Sequence, residues 1–347
     1  MRFRPLLLFP LLGSLVLAQG AGSSRPFNYR QVETIPLHTT GRFWDYLARN
    51  QEDRQIFVAA GNQVIVINAD TYELEGTIAP LQQVHGVAVA HQDNHGFTSN
   101  GGSNSSTEFN LQTLKILKTI ALPIQHPDGI IFAPHVDRVF YFNHDSHAAA
   151  VDASSGKVVG TILLPSKDAE FAAADRHGHV FDNLEDSSQL VEINARSLKL
   201  MAVWPLAPCQ HPSGLAMDTF NRRLFVGCHN NMMAVVNAET GRIVSTIPIG
   251  PGVDAVRWDE KYKLAFASSG GDGGTITVVH EDNPNHFTLL GNLHTQPGAR
   301  TMEIDPETHK LFTVTAQFAP PAPGQPPYAR KMIPGTFHLL VYWNRTQ

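Results

Sequence analysis

The stretch Cys209–Gly250, CQHPSGLAMDTFNRRLFVGCHNNMMAVVNAETGRIVSTIPIG, decides the fold. It predicts four short strands over 215–217, 223–227, 233–237 and 242–248, each of β-branched or bulky apolar residues closed by turn formers. Thr219-Phe220-Asn221, His229-Asn230-Asn231 and Ala238-Glu239-Thr240-Gly241 supply the turns, with Gly241 where a positive φ is cheap. A meander this short cannot bury both faces alone. It requires neighbours of its own kind.

Its ending, VSTIPI at Thr246, recurs. Equivalent endings are VETIPL at Thr34, LEGTIA at Thr77, LKTIAL at Thr119, VVGTIL at Thr161, MAVWPL at Val203 and a degraded LLGNLH at Gly291. The spacings of 43, 42, 42, 42, 43 and 45 residues are those of four-stranded propeller blades, and no stretch between them has a long helical rhythm. Seven recurrences predict an all-β, seven-bladed propeller with antiparallel four-stranded blades.

Residues 27–37 hold only a fourth-strand ending, whereas the last segment, from Pro297, holds first, second and third strands without a fourth. The two incomplete ends complement each other, so the N-terminal strand is expected to complete blade seven and close the ring. A single propeller over 27–347 follows, interrupted in blade seven by the proline-rich insertion 316–335, AQFAPPAPGQPPYARKMIPG. An insertion between second and third strands emerges on the face where the channel opens, where it is either a surface excursion or a flap.

Before the repeats, Arg2 and Arg4, the apolar run Leu6–Leu17 and small residues at Ala18, Gly20 and Ala21 have the layout of a cleavable secretory signal over 1–20. The run is short and broken by Pro10, so no membrane span is expected, and the mature protein is expected to be periplasmic or secreted. With 26 Lys+Arg against 31 Asp+Glu, the chain has no global electrostatic reason to bind nucleic acid. A monomer is expected.

Chemistry is expected where the first strands reach the channel mouth. Blade by blade, the residue at that point is Asp45, His85, Asp128, Glu170, Ser213, Asp254 and Arg300, with no apolar residue among them. They predict a polar ring that either binds a ligand or only lines a wet channel. His126 and His211 lie in the matched turns QHPDG and QHPSG, and His144, His147 and His229 follow second strands on the same face. Imidazole beside carboxylate suits metal ligation or proton transfer near neutral pH. The histidines lack compact ligand spacing, so no cofactor is expected. Should a divalent metal bind, Asp128, Glu170, His126 and His211 are the candidate ligands.

Cys209 precedes the first strand of blade five and Cys228 ends the second, so both reach one end of the blade. In an oxidising compartment this favours a disulfide, and the rival is a metal cluster with His211 and His229. Gly270-Gly271-Asp272-Gly273-Gly274 has no helix after it to hold a phosphate, and no G-x-S-x-G elbow nominates a nucleophile.

RRLFVGCHNNMMAVVNAETGRIVSTIPIG, PGVDAVRWD and GARTMEIDPETHKLF resemble the YVTN-repeat, YncE-like family of bacterial propellers, with the pattern degraded in blades two and four. The resemblance covers nearly the whole mature chain. It implies an exported seven-bladed binding or scaffold module without a settled catalytic motif. Some relatives are linked to DNA, which the charge here does not support.

Two functions are therefore expected. One is a non-catalytic propeller that captures a small molecule, peptide or protein at its mouth. The other is a metal-dependent lyase or lactone hydrolase at the same place, with Asp128, Glu170 and Asp254 as ligands and His85, His126 or His211 as acid or base.

Overall fold

The structure, a computed structural model, describes residues 28–39, 41, 43–321, 323–325 and 330–344. The expected signal over 1–20 lies outside the described residues. Twenty-eight strands form seven four-stranded sheets, six of them ordered as consecutive meanders. Helix among the described residues is limited to one 3₁₀ turn, His91–Asp93, and none is long and apolar enough to cross a membrane.

The seventh sheet closes the ring. Strand Arg30–Pro36 pairs antiparallel with His338–Trp343, with Thr34 opposite Leu340, so that the N-terminal strand covers what would otherwise be an open edge. Blade five is built from Pro212–Asp218, Arg223–Cys228, Met232–Asn237 and Ile243–Pro248. Its first strand is longer at both ends than the apolar run predicts, because Pro212 already pairs with Cys228 and Asp218 still pairs with Arg223. Turn formers end strand propensity, but here the ladder carries through them.

Two devices recur, one in all seven blades and one in five of them. The second strands carry Phe57, Phe97, Phe140, Phe181, Phe225, Phe266 and Phe312, one per blade and each fully buried between sheets. Burying such a ring contributes roughly 1.5–3 kcal/mol, so this column is the main apolar spine of the ring. The third-to-fourth turns share a second device. Asn68, Asn110, Asp152, Asn194 and Asn237 accept backbone N–H groups from residues two or three further on. A left-handed residue then follows in each: Tyr72, Leu114, Gly156, Leu198 and Gly241. Only two of these are glycine, so in the other blades the side-chain turn holds a conformation that the residue itself disfavours.

The remaining irregularity falls at the expected ring. In five blades the ladder between first and second strands slips at one point: Val84/Gly86, Pro127/Ile130, Ala169/Ala172, Pro212/Leu215 and Val253/Ala255. Each slip encloses one residue of the expected ring, namely His85, Asp128, Glu170, Ser213 or Asp254. A bulge frees a residue from the ladder and re-aims its side chain. Repeated around a propeller, it turns one side chain per blade toward the axis.

Candidate functional site at the channel mouth

The re-aimed side chains meet. His85 Nδ1 lies 2.6 Å from Asp45 Oδ2 and 3.4 Å from Asp128 Oδ2. His144 Nε2 is 3.2 Å from the same Asp128 oxygen, and its Nδ1 meets Asp168. Tyr46 donates its hydroxyl to Glu170 Oε2 at 3.3 Å. On the opposite side of the mouth, Arg300 Nε donates to Asp254, its Nη2 donates to the Trp44 carbonyl at 3.3 Å, and its guanidinium sits 5.8 Å from the Trp44 ring centre. Ser213 Oγ donates to the Asp254 carbonyl at 3.3 Å. All seven ring residues thus enter hydrogen-bonded chains at one end of the channel.

Electrostatics follow from crowding carboxylates in a partly dry mouth. Burial, then the charges of Asp128 and Asp254, push Asp45 up to about 6 against the pull of its His85 hydrogen bond. Burial raises Glu170 well above the ordinary carboxylate value, and Asp128, Asp254 and Glu185 push the same way. Asp128 goes down: burial opposes ionisation, but the His144 hydrogen bond and the His85 and His144 charges outweigh it. His144 is raised to about 11, chiefly by its hydrogen bonds to Asp128 and Asp168. For His85, burial disfavours the imidazolium, yet Asp45 and Asp128 overcome it and hold the group above its usual value.

His126 and His211 do not join this set. Both are exposed, and neither imidazole contacts a ring carboxylate among the described residues. His126 Nδ1 instead lies 3.2 Å from the Gly101 carbonyl. The reason is backbone. Each occupies a left-handed turn, φ 49° at both, two residues ahead of Asp128 and Ser213, as Gln83 and Gly252 do ahead of His85 and Asp254. The turn lifts the strand into the mouth and leaves its own side chain outside. His229 lies to one side, its Nδ1 3.3 Å from Glu185 and its Nε2 3.1 Å from the Val253 carbonyl. His147 pairs with Asp145.

The carboxylate–imidazole groups with ligand atoms mutually within 4.8 Å are Asp45, His85 and Asp128, and His144, Asp168 and Glu170. They share Asp128 and Glu170 with the metal candidates read from the sequence, and His85 and His144 stand where His126 and His211 were expected. Asp168 carried no signal as a ligand in the repeat. It holds the turn position ahead of Glu170 that His126 and His211 hold elsewhere, but without their left-handed backbone, so its side chain reaches His144 where theirs stay outside.

The insertion lies against this face. Phe318 pairs with Met332 across it and packs on Trp44 at 5.6 Å, while Phe337 stacks on Trp44 at 5.5 Å. Between the insertion and the ring is a cleft of about 790 Å³ walled by Phe43, Trp44, Arg300, Gln317 and Phe318. Below the mouth the channel is blocked. Tyr46 meets Phe171 edge-on at 4.1 Å, and Arg257 lies 5.3 Å from the Phe171 ring centre. Cys209 and Cys228, which would otherwise be metal ligands, form a disulfide on the mouth side of blade five.

No protein-family model and no curated protein matches the chain. Two solved structures, described as U3-55K and as RRP9 WD40 repeats, are similar over 90% of this chain and over 98% and 99% of theirs, each with a TM-score of 0.73 at 11% identity. At that identity the likeness is one of fold alone, the seven-bladed propeller.

Proposed function

We propose that the protein is an exported, YVTN-like binding propeller whose mouth captures a small polar ligand carrying positive charge. The observation that carries this reading is the bulge repeated in five blades, which delivers five ring side chains to one point where carboxylates outnumber cations. The aromatic cleft beside Arg300 offers room for the apolar body of such a ligand. The Cys209–Cys228 disulfide supports residence in the periplasm or outside the cell. Ser213, the ring's one hydroxyl, spends its proton on a backbone carbonyl and is not addressed by an imidazole, which favours binding over acyl transfer.

A thermal-shift screen of polyamines, quaternary amines, amino sugars and basic peptides tests this reading. A ligand should raise the melting temperature of the wild type and fail to do so for Asp254→Asn/Arg300→Gln. Equal shifts in both proteins would contradict it. A metal-dependent lyase or lactonase is the second reading, favoured by the two carboxylate–imidazole groups. It predicts chelator-sensitive turnover of a lactone panel.

A further inference from the structure

We infer that Asp45, His85 and Asp128 form a site for a divalent first-row transition ion, an inference that rests on the mouth being the binding site. The first argument is proton counting. His85 Nδ1 faces two carboxylates, at 2.6 and 3.4 Å, and one N–H proton serves only one of them well. Asp128 Oδ2 faces a second imidazole, His144, at 3.2 Å, while Asp128 Oδ1 is buried and has no hydrogen-bond partner among the described residues. An unsatisfied buried carboxylate oxygen keeps its full desolvation penalty. A cation in place of the proton at Nδ1 would satisfy both carboxylates and draw in the orphan oxygen.

Spacing agrees. Bonds of about 2.0–2.1 Å at a tetrahedral centre put neighbouring ligand atoms about 3.3 Å apart. The His85–Asp128 separation of 3.4 Å is already there, and the Asp45–His85 contact needs only a side-chain rotation to open. Charge agrees too. Asp45, Asp128, Asp168 and Glu170 converge beside His85 and His144, and Arg300, which also feels the Asp45 charge, gives its hydrogen bond to Asp254.

The surroundings have the form of a supporting shell. His144 is held between Asp128 and Asp168, so the ligand carboxylate is itself oriented. Behind His85, Gly101 leaves room for the ring: a Cβ there would come within 2.9 Å of Nε2. Side-chain exposures of 14, 22 and 13% for Asp45, His85 and Asp128 keep the set shielded yet reachable from the mouth, with coordination positions left for a ligand. One imidazole with two carboxylates suits Zn²⁺, Mn²⁺ or Fe²⁺ better than Ca²⁺, which takes oxygen ligands. By contrast, in the His280–Asp282–His286 group both Asp282 oxygens are already taken by hydrogen bonds and His286 is exposed, although the far nitrogen of His280 is buried without a partner among the described residues.

The test uses mature protein without a histidine tag, stripped with chelator and titrated with Co²⁺ while its visible absorption is followed, then with Zn²⁺ by calorimetry. One saturable equivalent is expected, with affinity falling at least about tenfold in Asp128→Asn and His85→Gln and unchanged in His286→Ala. Melting curves of the metal-free variants verify that they fold. Excess Ca²⁺ should not displace Co²⁺. Absence of saturable Co²⁺ binding, or binding undiminished in both mouth variants, overturns the site. If the wild type takes no Co²⁺ yet keeps its thermal shift with an organic cation, the metal site fails and the binding mouth stands; if both signals are absent, both readings fail.

Discussion

The two ends of the channel are made by the same first strands and differ in how charge is settled. At the mouth, Asp45, Asp128, Asp168, Glu170 and Asp254 outnumber their cationic partners, and one carboxylate oxygen is orphaned. At the far end, a cavity of about 820 Å³ is lined by apolar side chains such as Val87, Ile131 and Met217, and its two buried acids are paired: Glu303 receives both Arg49 at 2.8 Å and Arg257 at 3.1 Å, and Asp175 receives Arg222 at 2.8 Å. Tyr46, Phe171 and Arg257 separate the two. The far end is a closed electrostatic account that serves the fold. The mouth is an open one, and it is there that the proposed ligand would bind.

That contrast can be broken at several points. Phe171→Ala removes the partition and should cost about 3–5 kcal/mol, because it empties a buried ring site and takes away the surface under Arg257. Denaturant unfolding measures this, and a loss below ~1 kcal/mol would mean that the partition does not support the ring. Cys209→Ser/Cys228→Ser opens a loop of sequence separation 19 on the mouth side of blade five and should cost about 3 kcal/mol. Free-thiol titration of the unfolded, non-reduced wild type should find no thiol.

Arg257→Ala leaves Glu303 with Arg49 alone and should cost about 1–3 kcal/mol while leaving mouth binding untouched. At the mouth the pattern reverses. Asp254→Asn/Arg300→Gln should change stability by less than about 1 kcal/mol and abolish ligand-dependent thermal shifts. Equal effects of the two substitutions on binding would erase the distinction between the ends.

Asp182 belongs to neither end and sharpens the comparison. It is fully buried in blade four, neither oxygen has a hydrogen-bond partner among the described residues, and burial holds its carboxyl well above the ordinary 3.8. A raised folded-state value means that the fold prefers the protonated form. Its support is therefore complete below pH 3.8 and is lost as pH rises toward the folded value. Asp182→Asn should raise the melting temperature at pH 7, with the gain shrinking as pH falls toward 4. A gain independent of pH would show that packing, not ionisation, is responsible.

The architecture was legible because the fourth-strand ending recurs at nearly constant spacing and each blade repeats the same solution. The ring was legible for the same reason: a position fixed by the period is fixed in space, and His85, Asp128, Glu170, Ser213 and Asp254 fall where the bulges turn them, with Asp45 and Arg300 just ahead of their first strands. Loop residues do not inherit that indexing. His144 reaches Asp128 from a loop after a second strand, and Asp168 reaches His144 from a turn, so neither could be ranked above His147 or His126 by spacing alone. The matched QHPDG and QHPSG turns pointed to histidine ligands, but their left-handed backbone shows why these residues were matched: they shape the entry to the strand. The phenylalanine column was present in every blade and went unread because the ruler was laid on the fourth strands.

Anomalous diffraction from crystals of the tag-free protein soaked in Mn²⁺ tests the central claim most directly. The account predicts a single strong peak at the mouth, bounded by Asp45, His85 and Asp128, and none in the far cavity around Glu303. A mouth without a peak, or a peak only at the histidine pair His280 and His286, would contradict it.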